Sequence, residues 1–118
     1  MIARLWRGTA DAAKADAYQR HATATVLPAL RNIPGHRGAY LLRRNVSGRT
    51  EFLAVTFWDT LDAIRAFAGA DPERAVVEPE ARAVLAEFDH VARHYELAYD
   101  GLSAPSSAPP ARARAREA

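Results

Sequence analysis

Two neighbouring segments, residues 38–45 and 49–58, constrain the fold most, because both have the composition of β-strands and only a tight turn separates them. We predict an antiparallel hairpin with its turn around Val46-Ser47-Gly48. Mostly apolar residues occupy both faces of the second strand, with Phe52, Ala54, Thr56 and Trp58 on one side and Leu53, Val55 and Phe57 on the other. Helices can cover only one face, so we expect an identical sheet from a second copy of the chain to cover the other.

The segment before the hairpin predicts one more strand and a long helix. Residues 1–8 have strand composition and are expected to end at their glycine, with Thr9 as the N-cap of an amphipathic helix that reaches about residue 32. Pro28 lies inside this helix and has no N–H to donate, so it predicts a kink or an early end near Thr25.

A second helical region is predicted after the hairpin. Asp59 or Thr60 is expected to cap it, Gly69 to interrupt it, and Pro79 to restart it. The later part has apolar residues at helical spacing, namely Ala81, Val84, Leu85 and Phe88. Residues 90–99 are then predicted to form the last strand.

The order of these elements is strand, helix, strand, strand, helix, strand. This βαββαβ order is typical of a ferredoxin-like α+β fold, with a four-stranded antiparallel sheet and the helices on one face. We assign residues 1–100 to this single domain. Residues 101–118 are rich in Pro, Ser, Ala and Arg and lack large apolar residues after Leu102, so they are predicted to form a flexible tail, either dispensable or in contact with anionic polymers.

The charge distribution argues against a nucleic-acid partner. The chain has 16 basic and 14 acidic residues, and the last eight residues hold three and one of these, which leaves 13 of each in positions 1–110. An RNA-recognition motif in the second hairpin strand would also need a glycine and a central aromatic residue where Glu51 and Ala54 stand. No apolar stretch reaches the length of a membrane helix and the N-terminus lacks a signal peptide, so we expect a cytoplasmic protein.

The sequence lacks the residues of most catalytic and metal centres. The absence of cysteine removes thiolate nucleophiles, iron–sulfur clusters and cysteine-ligated zinc, and no phosphate loop or nucleophile elbow is present. His90 and His94 have the spacing of two ligands on a helix, but in a strand they lie roughly 13 Å apart, so we expect no metal site. His21 is interpreted as a surface residue, and Glu78 and Glu80 as acids that favour a helix start.

The remaining candidates suggest a cavity for a small apolar molecule between sheet and helices. Trp58 stands at the end of a strand, immediately before a helix cap, where it either packs in the core or forms a wall of such a cavity. Trp6 is the second tryptophan. Polar contacts are available from strand residues, namely Arg4, Tyr40, Arg43, Arg93 and Tyr95.

Residues 1 to about 97 resemble the antibiotic biosynthesis monooxygenase family of dimeric α/β-barrel proteins. The resemblance rests on the order and spacing of these segments: Leu27-Pro28-Ala29-Leu30, Ile33-Pro34-Gly35-His36-Arg37-Gly38, Phe57-Trp58, residues 63–67, and Val91-Ala92-Arg93-His94-Tyr95-Glu96. It implies a barrel formed by two sheets across a homodimer, with a pocket between sheet and helices in each subunit. Trp58 stands at the position of the family's pocket tryptophan.

Other positions depart from the functional patterns that the resemblance implies. Haem-degrading members have an axial histidine nine or ten residues after this tryptophan, where Phe67 and Ala68 stand here. Quinol-oxidising members have an asparagine four residues before the tryptophan and a tyrosine six after it, where Ala54 and Ile64 stand. The resemblance therefore implies the fold and the pocket more strongly than a particular activity.

The leading hypothesis is a small homodimeric monooxygenase-like protein that oxidises an electron-rich aromatic molecule of the phenol or quinol type without a cofactor. The predicted catalytic residues are Trp58, His94 and Arg93, and the predicted pocket residues are Trp58, Trp6, Tyr40 and Phe67. No metal, nucleic-acid or membrane partner is expected. The alternative is a non-catalytic dimer that binds a small apolar ligand, and haem binding without degradation is a third hypothesis.

Overall fold

The computed structural model describes residues 1–102. Most of the predicted tail, residues 103–118, lies outside this range. The strands are β1 (Ile2–Asp11), β2 (His36–Val46), β3 (Arg49–Trp58), β4 (Glu87–Phe88) and β5 (Arg93–Glu96). The helices are α1 (residues 12–30), α2 (Leu61–Ala68) and α3 (Pro79–Val84). No helix of this part of the chain is both long and apolar enough to cross a membrane.

The sheet is antiparallel throughout and runs β2-β3-β1, with β4 and β5 both paired to the free side of β1. This arrangement confirms the ferredoxin-like prediction. The fourth strand is interrupted, because Phe88 pairs with Gly8 while Arg93 pairs with Leu5. Four residues between the two segments therefore lie outside regular pairing, and the predicted single strand over 90–99 is wrong in its extent.

The predicted helix through Phe88 is also wrong at its end. The helix stops at Val84, and Leu85 already has an extended backbone with ψ of 139°. The following amide groups bond to β1 instead, from Ala86 N–H to Thr9 O at 2.7 Å and from Asp89 N–H to Arg7 O at 2.9 Å. Hydrogen bonds to an open sheet edge thus outweigh the helical spacing of the apolar residues.

β1 continues past Gly8 to Asp11, so Thr9 is a strand residue and not the predicted helix cap. The glycine serves packing instead of ending the strand. A Cβ atom at this position would lie 2.6 Å from Cη2 of Trp6, so the indole of Trp6 needs the bare glycine backbone beneath it. The longer strand carries both residues on the helix-covered face.

α1 is helical over its whole length, but its geometry changes along the chain. An initial 3₁₀ turn leads into an α-helix over Ala15–His21, a π-helical segment over Ala22–Val26 and a last α-helical turn over Leu27–Leu30. The Leu27 N–H donates to the Ala22 carbonyl, the widened pattern of a π-helix. The predicted disturbance near Thr25 therefore takes the form of a π-helical segment, and the helix continues through Pro28.

The hairpin and the α2 cap form as predicted. Ser47 and Gly48 both have positive φ, 52° and 79°, as a two-residue hairpin turn with the twist of its strands requires. The Thr60 hydroxyl accepts the Ala63 N–H at 3.1 Å, and Gly69 ends α2 with φ of 99°.

The helices cover one face of the sheet, here called the inner face, and its core divides into two clusters. The Phe52 cluster consists of Ala10, Ala15, Tyr18, Ala22, Phe52 and Ala81. The Trp58 cluster consists of Leu30, Trp58, Ile64 and Ala68. The opposite, outer face of the sheet is uncovered in the single chain, and Tyr40, Leu42 and Tyr95 are 51%, 50% and 52% exposed there.

Candidate functional site

A cavity of about 70 Å³ lies between the inner face of the sheet, α1 and the segment that leads into α3. Most of its wall is apolar, from Trp6, Leu30, Leu41, Phe67 and Val77 together with smaller side chains. The charged and titratable side chains of the wall are Arg4, Tyr18, His21 and Glu78. An apolar cavity with a few convergent polar groups is the usual form of a small-molecule site.

Arg4 supplies the cavity's positive charge. Its side chain is 4% exposed, and no carboxylate among the described residues lies within ion-pairing distance of it. Burial lowers the pKa of the guanidinium to about 10, and the negative charge of Asp71 partly offsets this effect. Arg4 therefore remains charged at neutral pH.

Two backbone carbonyls and a histidine hold this guanidinium. Its Nη1 donates to Pro72 O and to His94 Nε2, the latter at 3.0 Å, and its Nη2 donates to Arg74 O at 2.8 Å. The guanidinium also lies over the Phe67 ring, 5.6 Å from its centroid. An arginine has five N–H donors, so these three bonds leave two for a ligand.

His94 acts on the site through Arg4. It pairs with Arg4 in the sheet register, and its Nε2 accepts the Arg4 hydrogen bond, which requires that this nitrogen carry no proton. Burial and the neighbouring Arg4 charge lower the pKa of the imidazole, although Glu73 and Asp71 oppose the shift. His94 is not among the residues that line the cavity, and at neutral pH it is uncharged.

Trp58 lies one layer behind the cavity wall. It is 0% exposed, and its indole N–H donates to the Thr56 hydroxyl at 2.8 Å. Its ring stacks on Phe67 with centroids 6.0 Å apart, and His36 meets it edge-on at 5.0 Å. Thr56 and Phe67 line the cavity, so Trp58 supports the wall that they form.

Of the other residues predicted for the site, Trp6 and Phe67 lie in the cavity wall, whereas Tyr40 and Arg93 lie on the opposite side of the sheet. Tyr40 pairs with Val55 and Arg93 pairs with Leu5, which are both outer-face positions. The structure therefore brings together the two tryptophans, Phe67 and His94 on the inner side and separates Tyr40 and Arg93 from them.

His21 and Glu78 are residues of the cavity wall that the sequence interpretation missed. The His21 side chain is only 13% exposed, and its Nε2 lies 3.0 Å from a Glu78 carboxylate oxygen. Glu80 is close by, with the ligand atoms of all three side chains within 4.8 Å of one another. These are side-chain types that bind metal ions, but the hydrogen bond between His21 and Glu78 accounts for their convergence without an ion. For His21, the sequence did contain a signal: it follows Tyr18, a core position of the same helix, by three residues and so lies on the same helix face.

The sequence matches the family model described as antibiotic biosynthesis monooxygenase over residues 1–79. Among solved structures, it is similar to the haem-degrader MhuD from Mycobacterium tuberculosis, determined with two haems bound in its active site, with 23% identity and a TM-score of 0.55 over 85% of this chain and 98% of that one. A protein from Bacillus cereus assigned to the antibiotic biosynthesis monooxygenases has 15% identity and a TM-score of 0.56, over 85% and 98% of the two chains. No protein with a curated functional description matches the sequence significantly.

Proposed function

Because the chain belongs to the antibiotic biosynthesis monooxygenase family, we propose that it is a small monooxygenase that oxidises an electron-rich phenolic or quinol-type molecule in the cavity beside Arg4. The observation that carries the proposal is the buried Arg4 guanidinium, which has no carboxylate partner among residues 1–102 and makes three hydrogen bonds there out of the five that its N–H groups allow. A buried cation in an apolar wall stabilises an anion far more strongly than one in water. A phenolate oxygen is an anionic acceptor for such N–H donors.

The chemistry follows from that stabilisation. Loss of the phenolic proton makes the ring easier to oxidise, so a bound phenolate can pass an electron to dioxygen. Combination of the two radicals forms a carbon–oxygen bond, and one oxygen atom then leaves as water with two hydrogens of the substrate. The residues of this chain bind, orient and deprotonate the substrate and exclude water from it. Trp58 and His94 act as positioning residues, through Phe67 and Arg4 respectively.

The size of the cavity favours a substrate with a single ring. At about 70 Å³ it is smaller than the roughly 150 Å³ known to hold benzene in another protein, so its wall must move when a ligand enters. The π-helical segment contributes Ala22 and Val26 to that wall, and irregular helical turns are common at functional sites. Haem does not fit this cavity, and Phe67 and Ala68 stand where the haem-degrading members have their axial histidine.

The outer face supports the proposal of a homodimer. Its centre is formed by Leu5, Leu53, Val55, Phe57 and Leu42. The ion pairs from Glu51 to Arg7 and Arg44 border this apolar area. A second copy would bury this area and enclose Tyr40 and Arg93, which lie on this face and not in the cavity wall. Light scattering is expected to give twice the 12.9 kDa chain mass, and Leu53→Glu to reduce it to one chain mass.

Oxygen uptake tests the oxidation itself. We expect purified protein to consume oxygen with hydroquinone and catechol faster than with three-ring anthrones. Arg4→Lys keeps a charge but loses the planar donor array, and is expected to lower kcat/KM roughly 100-fold. The matched control is Arg65→Lys, since Arg65 is an exposed residue paired with Asp62 on α2. Thermal unfolding checks that both variants remain folded.

The competing function is a non-catalytic dimer that binds a small apolar ligand, and the largely apolar wall favours it. Calorimetry with the same phenols separates the two functions. Binding of phenols without oxygen uptake by the wild type would replace the enzyme proposal with this one. An Arg4→Lys variant that retains full turnover would remove the guanidinium from the mechanism.

A further inference from the structure

We propose that His21 and Glu78 are the proton-accepting pair of the cavity, in which the imidazole takes the phenolic proton while Arg4 holds the oxyanion. The inference rests on the proposed function, because it assigns the base that this oxidation needs. The step is balanced: the O–H bond of the phenol breaks, an N–H bond forms on His21, and the substrate keeps the electron pair as a phenolate.

The geometry of the pair is that of an oriented base. His21 is the last residue of the regular α-helical part of α1, and Glu78 immediately precedes Pro79 at the start of α3. A carboxylate only accepts hydrogen bonds, so the 3.0 Å contact places a proton on His21 Nε2 and leaves Nδ1 with a free electron pair. A carboxylate likewise holds the imidazole in one tautomer in the Ser-His-Asp triad, where histidine removes a proton from a hydroxyl group.

The charges around the cavity favour the products of the transfer. Glu78 and Glu80 lie close to the imidazole and stabilise the positive charge that His21 gains. Arg4 lies in the same wall and stabilises the negative charge that the substrate gains. Tyr18, one helical turn before His21, is not a competing base, because burial raises its pKa to about 12 and keeps it protonated.

The other described histidines are poorly placed for this role. Arg4 occupies Nε2 of His94, which does not line the cavity. His36 packs against the edge of Trp58, and His90 against Phe88 at 5.0 Å. Within residues 1–102, His21 is thus the one imidazole in the cavity wall.

A phenol that reports its own ionisation tests the pair without turnover. 4-Nitrophenol has a coloured anion and ionises near neutrality, so its phenolate fraction can be read in the bound state by absorbance. We expect the wild type to bind it as phenolate at a pH where the free phenol is largely protonated. His21→Gln and Glu78→Gln are expected to lower the bound phenolate fraction about tenfold at that pH, whereas the control His90→Gln leaves it unchanged. A chelator in every titration removes any contribution from metal ions.

Turnover supplies a second readout that a merely structural role would not move. With a phenol that is oxidised, His21→Gln is expected to lower kcat by roughly 10²-fold with little change in KM. The loss should shrink as the pH rises above the pKa of the substrate, because the phenol then ionises without a base. Retention of bound phenolate by both variants overturns the pair while Arg4-assisted oxidation stands. Failure of the wild type to bind any phenol overturns the pair and the proposed function together.

Discussion

The two clusters of the inner face are built differently, and only one of them leaves room for a ligand. The Phe52 cluster places four alanines around a single aromatic pair, Tyr18 and Phe52, whose ring centroids lie 4.7 Å apart. The Trp58 cluster has one alanine among its four residues and is filled by the indole itself. Three of the buried residues that line the cavity belong to the Phe52 cluster, and only Leu30 to the Trp58 cluster.

This difference shows how one small core can provide both rigidity and space. Trp58, Thr56 and Phe67 form a dense support against which Arg4 is held. Small side chains at the other end line the space that a substrate would occupy. A buried charge requires fixed surroundings, whereas a binding cavity requires incomplete filling, and the chain separates the two requirements along the sheet.

Truncation of a side chain in the Trp58 cluster, the dense end of the core, is expected to have the largest effect on stability. Trp58→Ala removes a fully buried side chain and should lower the free energy of unfolding by about 3–5 kcal/mol, as measured by urea denaturation. The control is Phe57→Ala, on the outer face of the same strand; with both variants made in the Leu53→Glu background, which keeps the chain monomeric, it should lower the free energy of unfolding less. Equal losses would mean that the dense end is no better packed than the uncovered face.

Overfilling the dense end is expected to have the next largest effect. Ala68 is 1% exposed and belongs to the Trp58 cluster, so Ala68→Leu should destabilise the protein by about 1–3 kcal/mol. Thermal unfolding of Ala68→Leu beside the wild type measures this loss of stability. A neutral result would show that the Trp58 cluster contains unfilled space.

The same substitution at the other end should be better tolerated. Ala81 lines the cavity, so the larger side chain of Ala81→Leu can enter empty space at a cost below about 1 kcal/mol. It should also abolish phenol binding in calorimetry, because it occupies the volume that the ligand needs. An unchanged affinity would place the ligand elsewhere.

A drop in pH is expected to have the smallest effect on stability, through two histidines that lie beside Trp58 and Arg4. Burial lowers the pKa of His36, which touches Trp58, and of His94, which is bonded to Arg4. The unfolded chain then binds more protons than the folded one near and below pH 6.5, so stability is present above that pH and falls as the pH drops. The urea midpoint should be lower at pH 5 than at pH 7.

A matched variant attributes that pH dependence to its source. His94→Gln can still accept the Arg4 hydrogen bond but does not titrate, so its urea midpoint should fall less between pH 7 and pH 5. If the fall is as large as in the wild type, other groups are responsible for it.

The sequence predicted the hairpin turn and both ends of α2 correctly, because these depend on the preferences of a few neighbouring residues. The hairpin turn at Ser47-Gly48, the Thr60 cap and the Gly69 stop follow from the backbone and hydrogen-bonding preferences of those residues, and the structure contains all three. Phe88 was misassigned because its helical spacing carries no information about the open edge of β1, with which it pairs.

The site was harder to predict because it depends on which face each strand residue occupies. Alternation puts His94 and Arg93 on opposite faces but leaves open which of them faces the cavity. The irregular stretch between β4 and β5 shifts the pairing by two residues, which keeps the faces unchanged and places His94 opposite Arg4. Arg4 was recognised only as a strand residue with a polar group, since its contacts with Pro72 and Arg74 come from a distant loop. Trp58 was singled out by its place between a strand end and a helix cap, whereas Phe67 entered the predicted pocket only with the family resemblance.

The π-helical segment of α1 gives the cavity a dependence on chain length. One residue fewer within Ala22–Val26 would restore a regular α-helix and turn the preceding part of α1 by about 100° relative to Leu27 and Leu30. Tyr18 and His21 would then rotate away from the sheet, although no residue of the wall had been substituted. Insertions and deletions at this point, which leave most sequence alignments almost unchanged, would therefore separate relatives that keep this cavity from relatives that share only its scaffold.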